Sequence, residues 1–382
     1  MRSLSTAAEE PEVLVTQSGG VRTVTLNRPK ALNALNLSMV QQMYPLYRRW
    51  AETDTVKIVV QEGSGEKAFC AGGDVASLYH AHKAGDSGPG VSKDALTASF
   101  FREEYQLDHL IATYPKPIIS ILDGITMGGG VGLSVHAPFR VATEKTMFAM
   151  PETALGLFPD VGGGHFLSRL PGELGMYLAL SGARLKAADL LYSRIATHYI
   201  PSARIADLKD RLVSLEAPPE RMHESVSYAL DEFTDPIVEA PLMEHRKMID
   251  ECFAGNTVEG MLEALHKHAG ESEFAAKLVT TLGKCSPTSM KITLKQLREG
   301  AKLEIGEVLQ MEYRMAQACC GNHPDPSEVG KDFYEGVRSI LIDKDHAPQW
   351  SPASLGEVTE AVVDAHFQQL PSDRELTFPH AK

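Results

Sequence analysis

The stretch Val21-Arg22-Thr23-Val24-Thr25-Leu26 reads with a period of two and predicts a strand. Lys57–Gln61, Pro117–Leu122 and Phe139–Ala142 are further short strand candidates. The second is almost unbroken in its apolar character, as a strand buried on both faces requires. Between them the period lengthens. Leu37 to Ala51 places Met39, Met43, Leu46 and Trp50 at helical spacing, with Pro45 inside as a candidate kink. Val75 to His82 also reads as helix, as does Phe100 to Ala112, with Phe101, Tyr105, His109 and Leu110 on one side. Repeated strand-strand-helix units predict an α/β domain. Past about residue 203 helical periodicity takes over, with candidates at 204–215, 219–233, 243–253, 257–268, 271–282, 286–300 and 306–318. Ser286-Pro287 puts a proline in a helical first turn, where its missing N–H costs nothing. The expected organisation is a flexible tail over 1–11, an α/β core over 12–202, a helical C-terminal region over 203–369 and a tail over 370–382. Gly85 to Lys93, dense in Gly and Ser, predicts a mobile loop.

Composition narrows the function. The 382 residues carry a net charge of −13, which disfavours general contact with nucleic acid. The apolar window 117–135 contains Asp123 and five glycines, so a strand, a turn and a helix start explain it better than a membrane span. Residues 1–10 lack the apolar centre of a secretory signal and are compatible with the stub of a transit peptide. The five cysteines form no CxxC pair, which suggests free thiols rather than zinc ligands or disulfides. Cys70, beside two glycines, has no base near it in sequence and is not expected to be a nucleophile. No histidine falls in a metal-ligand spacing, and His165 is expected to pack.

The candidate chemistry lies in three turns. Ala71-Gly72-Gly73-Asp74 follows one strand and precedes a helix, so small residues there let backbone N–H groups approach a ligand. Met127-Gly128-Gly129-Gly130-Val131-Gly132 repeats the arrangement after Pro117–Leu122. Two such turns can converge two N–H groups on one carbonyl oxygen and form an oxyanion hole. The third, Met150 to Gly164, carries Glu152 and Asp160 on a loop rich in Gly and Pro, too irregular for both to share a helix face. Two carboxylates on such a loop suit handling of a proton or a water molecule, although Asp160 alone also suits a helix cap. Glu103 and Glu104, like Glu357 and Glu360, read as solvated helix faces.

These motifs, with Leu26 to Leu35, Ser168 to Gly172, Ser286 to Thr293, Asp332 to Arg338 and Asp343-Lys344-Asp345, resemble the crotonase (enoyl-CoA hydratase/isomerase) superfamily over residues 12–368. The last group resembles its 3-hydroxyisobutyryl-CoA hydrolase branch, including plant-type mitochondrial members. The resemblance implies a spiral of strand-strand-helix units forming two nearly perpendicular sheets. It implies a mitochondrial-matrix thioesterase of valine catabolism, acting on an acyl-CoA and needing no metal and no cofactor beyond the CoA of its substrate. A homo-oligomer is compatible with it; membrane or direct nucleic-acid partners are not expected. Carried over by residue, the N–H groups of Gly73 and Gly129 would form the oxyanion hole. Glu152 would be the main catalytic carboxylate and Asp160 its partner. Lys30, Ala31 and Ala71, with Gly72 and Gly128, would line the substrate. Hydratases of the superfamily carry a second catalytic Glu where this chain has Gly132, which favours hydrolysis over hydration. Several hydrolases carry an acidic residue on the helix after the Gly73 turn, where this chain has His80. The alternative the resemblance offers is a structural subunit of the mitochondrial ribosome, suggested by Asp74 to His80, Ala196 to Tyr199 and the polar end of the chain.

Overall fold

The computed structural model describes residues 10–236, 239–323, 329 and 332–379. Most of the expected tail at 1–11, and the last three residues of the chain, lie outside them.

Among the described residues there are nine strands: β1 (Val13–Ser18), β2 (Val21–Leu26), β3 (Ile58–Gly63), β4 (Ala68–Cys70), β5 (Ile118–Leu122), β6 (Ile125–Met127), β7 (Phe139–Ala142), β8 (Met147–Ala149) and β9 (His198–Tyr199). A six-stranded sheet has the order β1-β2-β3-β5-β7-β9, parallel except for the β1–β2 hairpin. A three-stranded parallel sheet has the order β4-β6-β8. Each repeat lays one strand in the large sheet and the next in the small one, and the chain then crosses over. This is the strand-strand-helix spiral that the sequence pattern predicts. Its consequence for function is direct: the three small-sheet strands run in parallel, so the turns that follow them emerge side by side at one edge.

The helices α1 (Leu37–Glu52), α2 (Val75–Lys83), α3 (Leu96–Ala112) and α4 (Gly129–Val135) fill the crossovers. Asn36 caps α1 by accepting the Met39 N–H at 2.8 Å. Pro45 does not break α1, because Pro45 and Gln41, whose carbonyl it leaves unpaired, both face solvent. One face of the large sheet packs against α1 and α3. The other is covered by helices Ile205–Val213 and Met222–Asp231, so β2 is buried on both sides despite its alternating sequence. These two helices, beyond residue 203, thus share a core with the sheet. The helix Ile305–Cys319 packs on α3, and the helix Pro287–Gly300 packs on the short helix Gly163–Phe166 and on the Glu152–Leu155 turn.

Two peripheral expectations need correction. Residues 370–379 are not a loose tail: Leu370 and Leu376 are buried, Phe378 stacks on His109 at 3.9 Å, and Arg314 holds Glu375 at 3.0 Å. The Gly85–Lys93 loop is irregular but tied down: the Gly88 N–H reaches Asn322 Oδ1 at 2.9 Å, and His82 contacts Ser87 Oγ at 2.6 Å. All five cysteines are free, as expected, and all are buried; burial pushes the Cys70 thiol up to about 12.

Candidate active site

The edge of the small sheet opens into a cavity of about 550 Å³ lined by Ala71, Gly72, Gly73, Gly128, Gly129, Glu152 and Asp160 among others. β4 delivers Gly73, β6 delivers Gly129 and β8 delivers Glu152. An isolated parallel bridge links Leu35 and Gly73: the Leu35 N–H reaches Gly72 O and the Asp74 N–H reaches Leu35 O, both at 2.8 Å. Both bonds are made by the neighbours of Gly73, which leaves its own N–H out of the ladder. Gly129 is the first residue of α4, so its N–H is one of the helix's orphan donors. A Cβ on Gly129 would stand 3.2 Å from Gly73 N, so the two residues lie side by side. Gly128 has φ 45° and ψ −121°, open only to glycine, and a Cβ there would stand 2.9 Å from Glu152 Oε1. Two backbone donors therefore meet one wall of the cavity with a carboxylate against them.

Glu152 starts a short 3₁₀ turn, Glu152–Leu155, that Gly156 ends in the left-handed region at φ 72°. Thr153 anchors it, donating to Leu180 O at 3.0 Å and accepting the Ser286 N–H on its backbone carbonyl at 3.0 Å. Asp160 accepts the Tyr105 hydroxyl at 2.8 Å. Its side chain does not cap the short helix after it; only its backbone carbonyl meets the Gly163 N–H. Burial lifts both acids, Glu152 well above the carboxylate range with the charge of Asp160 adding to the effect. Asp160 rises to about 7 through burial, held back by the Tyr105 bond.

Two further carboxylates enter from α3. Glu104, expected to be solvated, is 2% exposed and lines the cavity. A Cβ on Gly129 would stand 2.5 Å from Glu104 Oε1, which places this oxygen against the backbone donors. Asp108, one helical turn on, is fully buried against Gly132, where a Cβ would meet its two oxygens at 2.9 and 3.0 Å. Burial and then the neighbouring acids push both far up. Neither Glu104 Oε1 nor Glu152 Oε2 bonds to any described protein atom, so both remain available to a bound molecule. The sequence did hold a signal for α3. Phe100, Phe101, Glu104, Tyr105, Asp108 and Ile111 share one helical stripe, and carboxylates inside an apolar stripe are not a solvated face.

The cavity does not gather every expected residue. Lys30 and Ala31 are exposed on a 3₁₀ turn, Pro29–Ala31, beside Ala71, whose N–H reaches Leu32 O at 3.1 Å; neither lines the cavity. His80 is exposed on α2 and lies outside the lining too. At Gly132 a Cβ would stand 2.6 Å from Val161 Cβ, so no side chain fits there. His165 is half-buried, as expected of a packing residue.

Comparison with known proteins agrees with this architecture. A family model described as enoyl-CoA hydratase/isomerase matches residues 21–367. The mitochondrial 3-hydroxyisobutyryl-CoA hydrolase of Xenopus laevis is 50% identical over 94% of this chain and 89% of its own. That of Homo sapiens is 47% identical over 96% and 90% respectively. Among solved structures, a carnitinyl-CoA dehydratase from Mycobacterium thermoresistibile superposes with a TM-score of 0.83 at 39% identity, covering 97% of this chain and 99% of that one. An enoyl-CoA hydratase from Rhodobacter sphaeroides gives 0.83 at 35% identity, covering 96% and 100%. With the spiral, the paired glycine turns and this match over most of its length, the chain belongs to the enoyl-CoA hydratase/isomerase (crotonase) family.

Proposed function

We propose that this protein hydrolyses 3-hydroxyisobutyryl-CoA to 3-hydroxyisobutyrate and CoA in mitochondria, a step of valine breakdown. The observation that carries the reading is the pairing of Glu152 and Asp160 in one cleft with the Gly73 and Gly129 backbone, while Val161 and Asp108 fill the space beside Gly132. A hydratase of the kind described above needs a Glu at that position, and no side chain fits. The curated relatives named as hydrolases are also more similar in sequence than the solved hydratase and dehydratase.

The thioester oxygen sits between the Gly73 and Gly129 N–H groups, which stabilise negative charge as it develops. Glu152, ionised, takes a proton from a water molecule whose oxygen adds to the carbonyl carbon. The tetrahedral oxyanion reforms the carbonyl, the C–S bond breaks, and protonated Glu152 returns its proton to the sulfur. The same carboxylate oxygen suits direct attack, giving an anhydride that water then opens; ¹⁸O retained on Glu152 after a single turnover in labelled water distinguishes this route. Asp160, oriented by Tyr105, holds the 3-hydroxyl of the acyl group, with Glu104 facing the thioester from the other side. Lys30, exposed beside the Ala71 turn, offers a charge to the CoA phosphates.

Thiol release from 3-hydroxyisobutyryl-CoA by the purified protein tests the reading, with Glu152→Gln as control. Rapid release that the substitution abolishes supports it. Absence of release from folded protein, or equal release by the variant, refutes it.

A further inference from the structure

The turn that carries Asp160 adopts a conformation its own residues resist. Val161, β-branched, has φ 53°, and Gly162 follows at φ 85°. A β-branched residue resists the left-handed region, so something outside the turn must hold it. Three other elements do. Glu312, fully buried on the helix Ile305–Cys319, accepts the Gly162 N–H through Oε2 at 2.7 Å and the Gly164 N–H through Oε1 at 2.8 Å. Gln296, on the helix Pro287–Gly300, donates through Nε2 to Pro159 O at 2.7 Å and to Glu312 Oε1 at 2.8 Å. His136, at the end of α4, lies with Nε2 2.8 Å from Val161 O. Burial lowers the His136 pKa to about 4, so the ring is neutral and the carbonyl assigns its proton to Nε2. The carbonyls of Pro159 and Val161 and the N–H groups of Gly162 and Gly164 are thus each met by a side chain from elsewhere in the chain. Neither Glu312 nor Gln296 lines the cleft.

We propose that Glu312 is a positioning residue for the hydrolysis: its carboxylate, braced by Gln296, locks the strained Pro159–Gly164 turn and thereby aims Asp160 at the substrate. The proposal rests on the role given to Asp160 above. The chemistry calls for a carboxylate rather than an amide. Burial pushes the Glu312 pKa up to about 8, held back by the Gly164 and Gly162 N–H groups. The geometry nonetheless selects the ionised form, because three N–H donors converge on its two oxygens and a carboxylate accepts all three without a proton of its own to place. Glutamine would turn an NH₂ group toward a donor and leave a backbone N–H buried without an acceptor.

The experiment measures kcat and KM for 3-hydroxyisobutyryl-CoA, and the melting temperature, in Glu312→Gln, Glu312→Asp, Asp160→Asn and the double variant Asp160→Asn/Glu312→Gln. Glu312→Gln is expected to lose about 10–100-fold in kcat, as a catalytic group displaced by about 1 Å does, with KM changed less than about threefold. Glu312→Asp retains a carboxylate and recovers part of that loss. The double variant is no slower than Asp160→Asn, because the clamp acts through Asp160. Wild-type kcat in folded Glu312→Gln, or losses that multiply in the double variant, overturns the clamp and leaves the reading of Asp160 intact. Wild-type turnover in Asp160→Asn alone overturns that reading and the clamp with it. Should Glu312→Gln fail to fold, Gln296→Met keeps the Glu312 bonds to the Gly162 and Gly164 N–H groups while removing the brace on both Glu312 and Pro159. A loss confined to kcat in that variant supports the proposal, and unchanged kcat overturns it.

Discussion

The two turns that meet in the cleft are built on opposite principles. At Gly128–Gly129 the chain supplies the residue its backbone needs: the unusual dihedral angles fall on a glycine, and the neighbouring strands of the small sheet do the rest. At Asp160–Gly164 the positive φ falls on Val161, and side chains from two C-terminal helices and α4 compensate. A turn with suitable local chemistry is specified where it stands. A turn without it depends on distant residues, and through them the helical region becomes part of the catalytic apparatus rather than a cover for it.

The comparison breaks most severely at Glu152, which both turns serve. Glu152→Gln retains the shape of the side chain but offers neither nucleophile nor base, and kcat is expected to fall by about 10³–10⁴-fold. Steady-state thiol release, with circular dichroism to verify the fold, measures this. The glycine turn responds next. Gly129→Ala drives a methyl group toward Glu104 Oε1 and Gly73 N, displacing a donor pair whose members are each worth about 10²–10³-fold. A loss of at least about a hundredfold in kcat is expected, and a loss below tenfold would show that Gly129 is not a donor. Glu104→Gln removes a carboxylate but not its shape; a rise in KM of about tenfold, larger than its effect on kcat, marks it as a group that touches substrate.

Acidity sharpens the comparison further, because only the carboxylate side titrates. Turnover needs Glu152 ionised while burial holds its pKa above the usual range, so kcat/KM keeps rising with pH beyond the range in which an ordinary carboxylate titrates. Stability runs the other way. Asp160 titrates at about 7 when folded and at about 3.9 when unfolded. Between these values the folded state holds the extra proton, so the stability this group supports is full below about pH 4 and is lost as pH rises to about 7. Asp160→Asn removes that loss. Its melting temperature is expected to match the wild type near pH 4.5 and to exceed it by a few degrees at pH 8, the smallest of these effects. Scanning calorimetry at the two pH values checks the sign; a lower melting temperature at pH 8 would show that the charged form of Asp160 is stabilising.

Much of this was legible in advance. The large-sheet strands β2, β3, β5 and β7, helix α1 and the C-terminal helices follow from local periodicity, and the glycine turns from the absence of side chains. Glu152 and Asp160 stood out because a loop dense in glycine and proline is a poor place for charges that only solvate a surface. Glu104 and Asp108 did not, because adjacent acids on a helix are more often exposed. Their burial depends on what packs against α3: α4, whose Gly129 and Gly132 face the two acids, together with α1 and the helix Ile305–Cys319. Glu312 was invisible for the same reason: one acid in an amphipathic helix does not reveal that its partners are backbone N–H groups about 150 residues earlier.

The sequence by itself determined the alternation of strands and helices, the places where backbone comes close to a ligand, and the chemical type of the groups on offer, because these depend on neighbours within a few residues. Tertiary structure alone decided which carboxylates leave water, which reach the cleft and which hold the turn behind it. Desolvation and hydrogen-bond partnership are set by atoms brought together across the fold, and no local pattern encodes them.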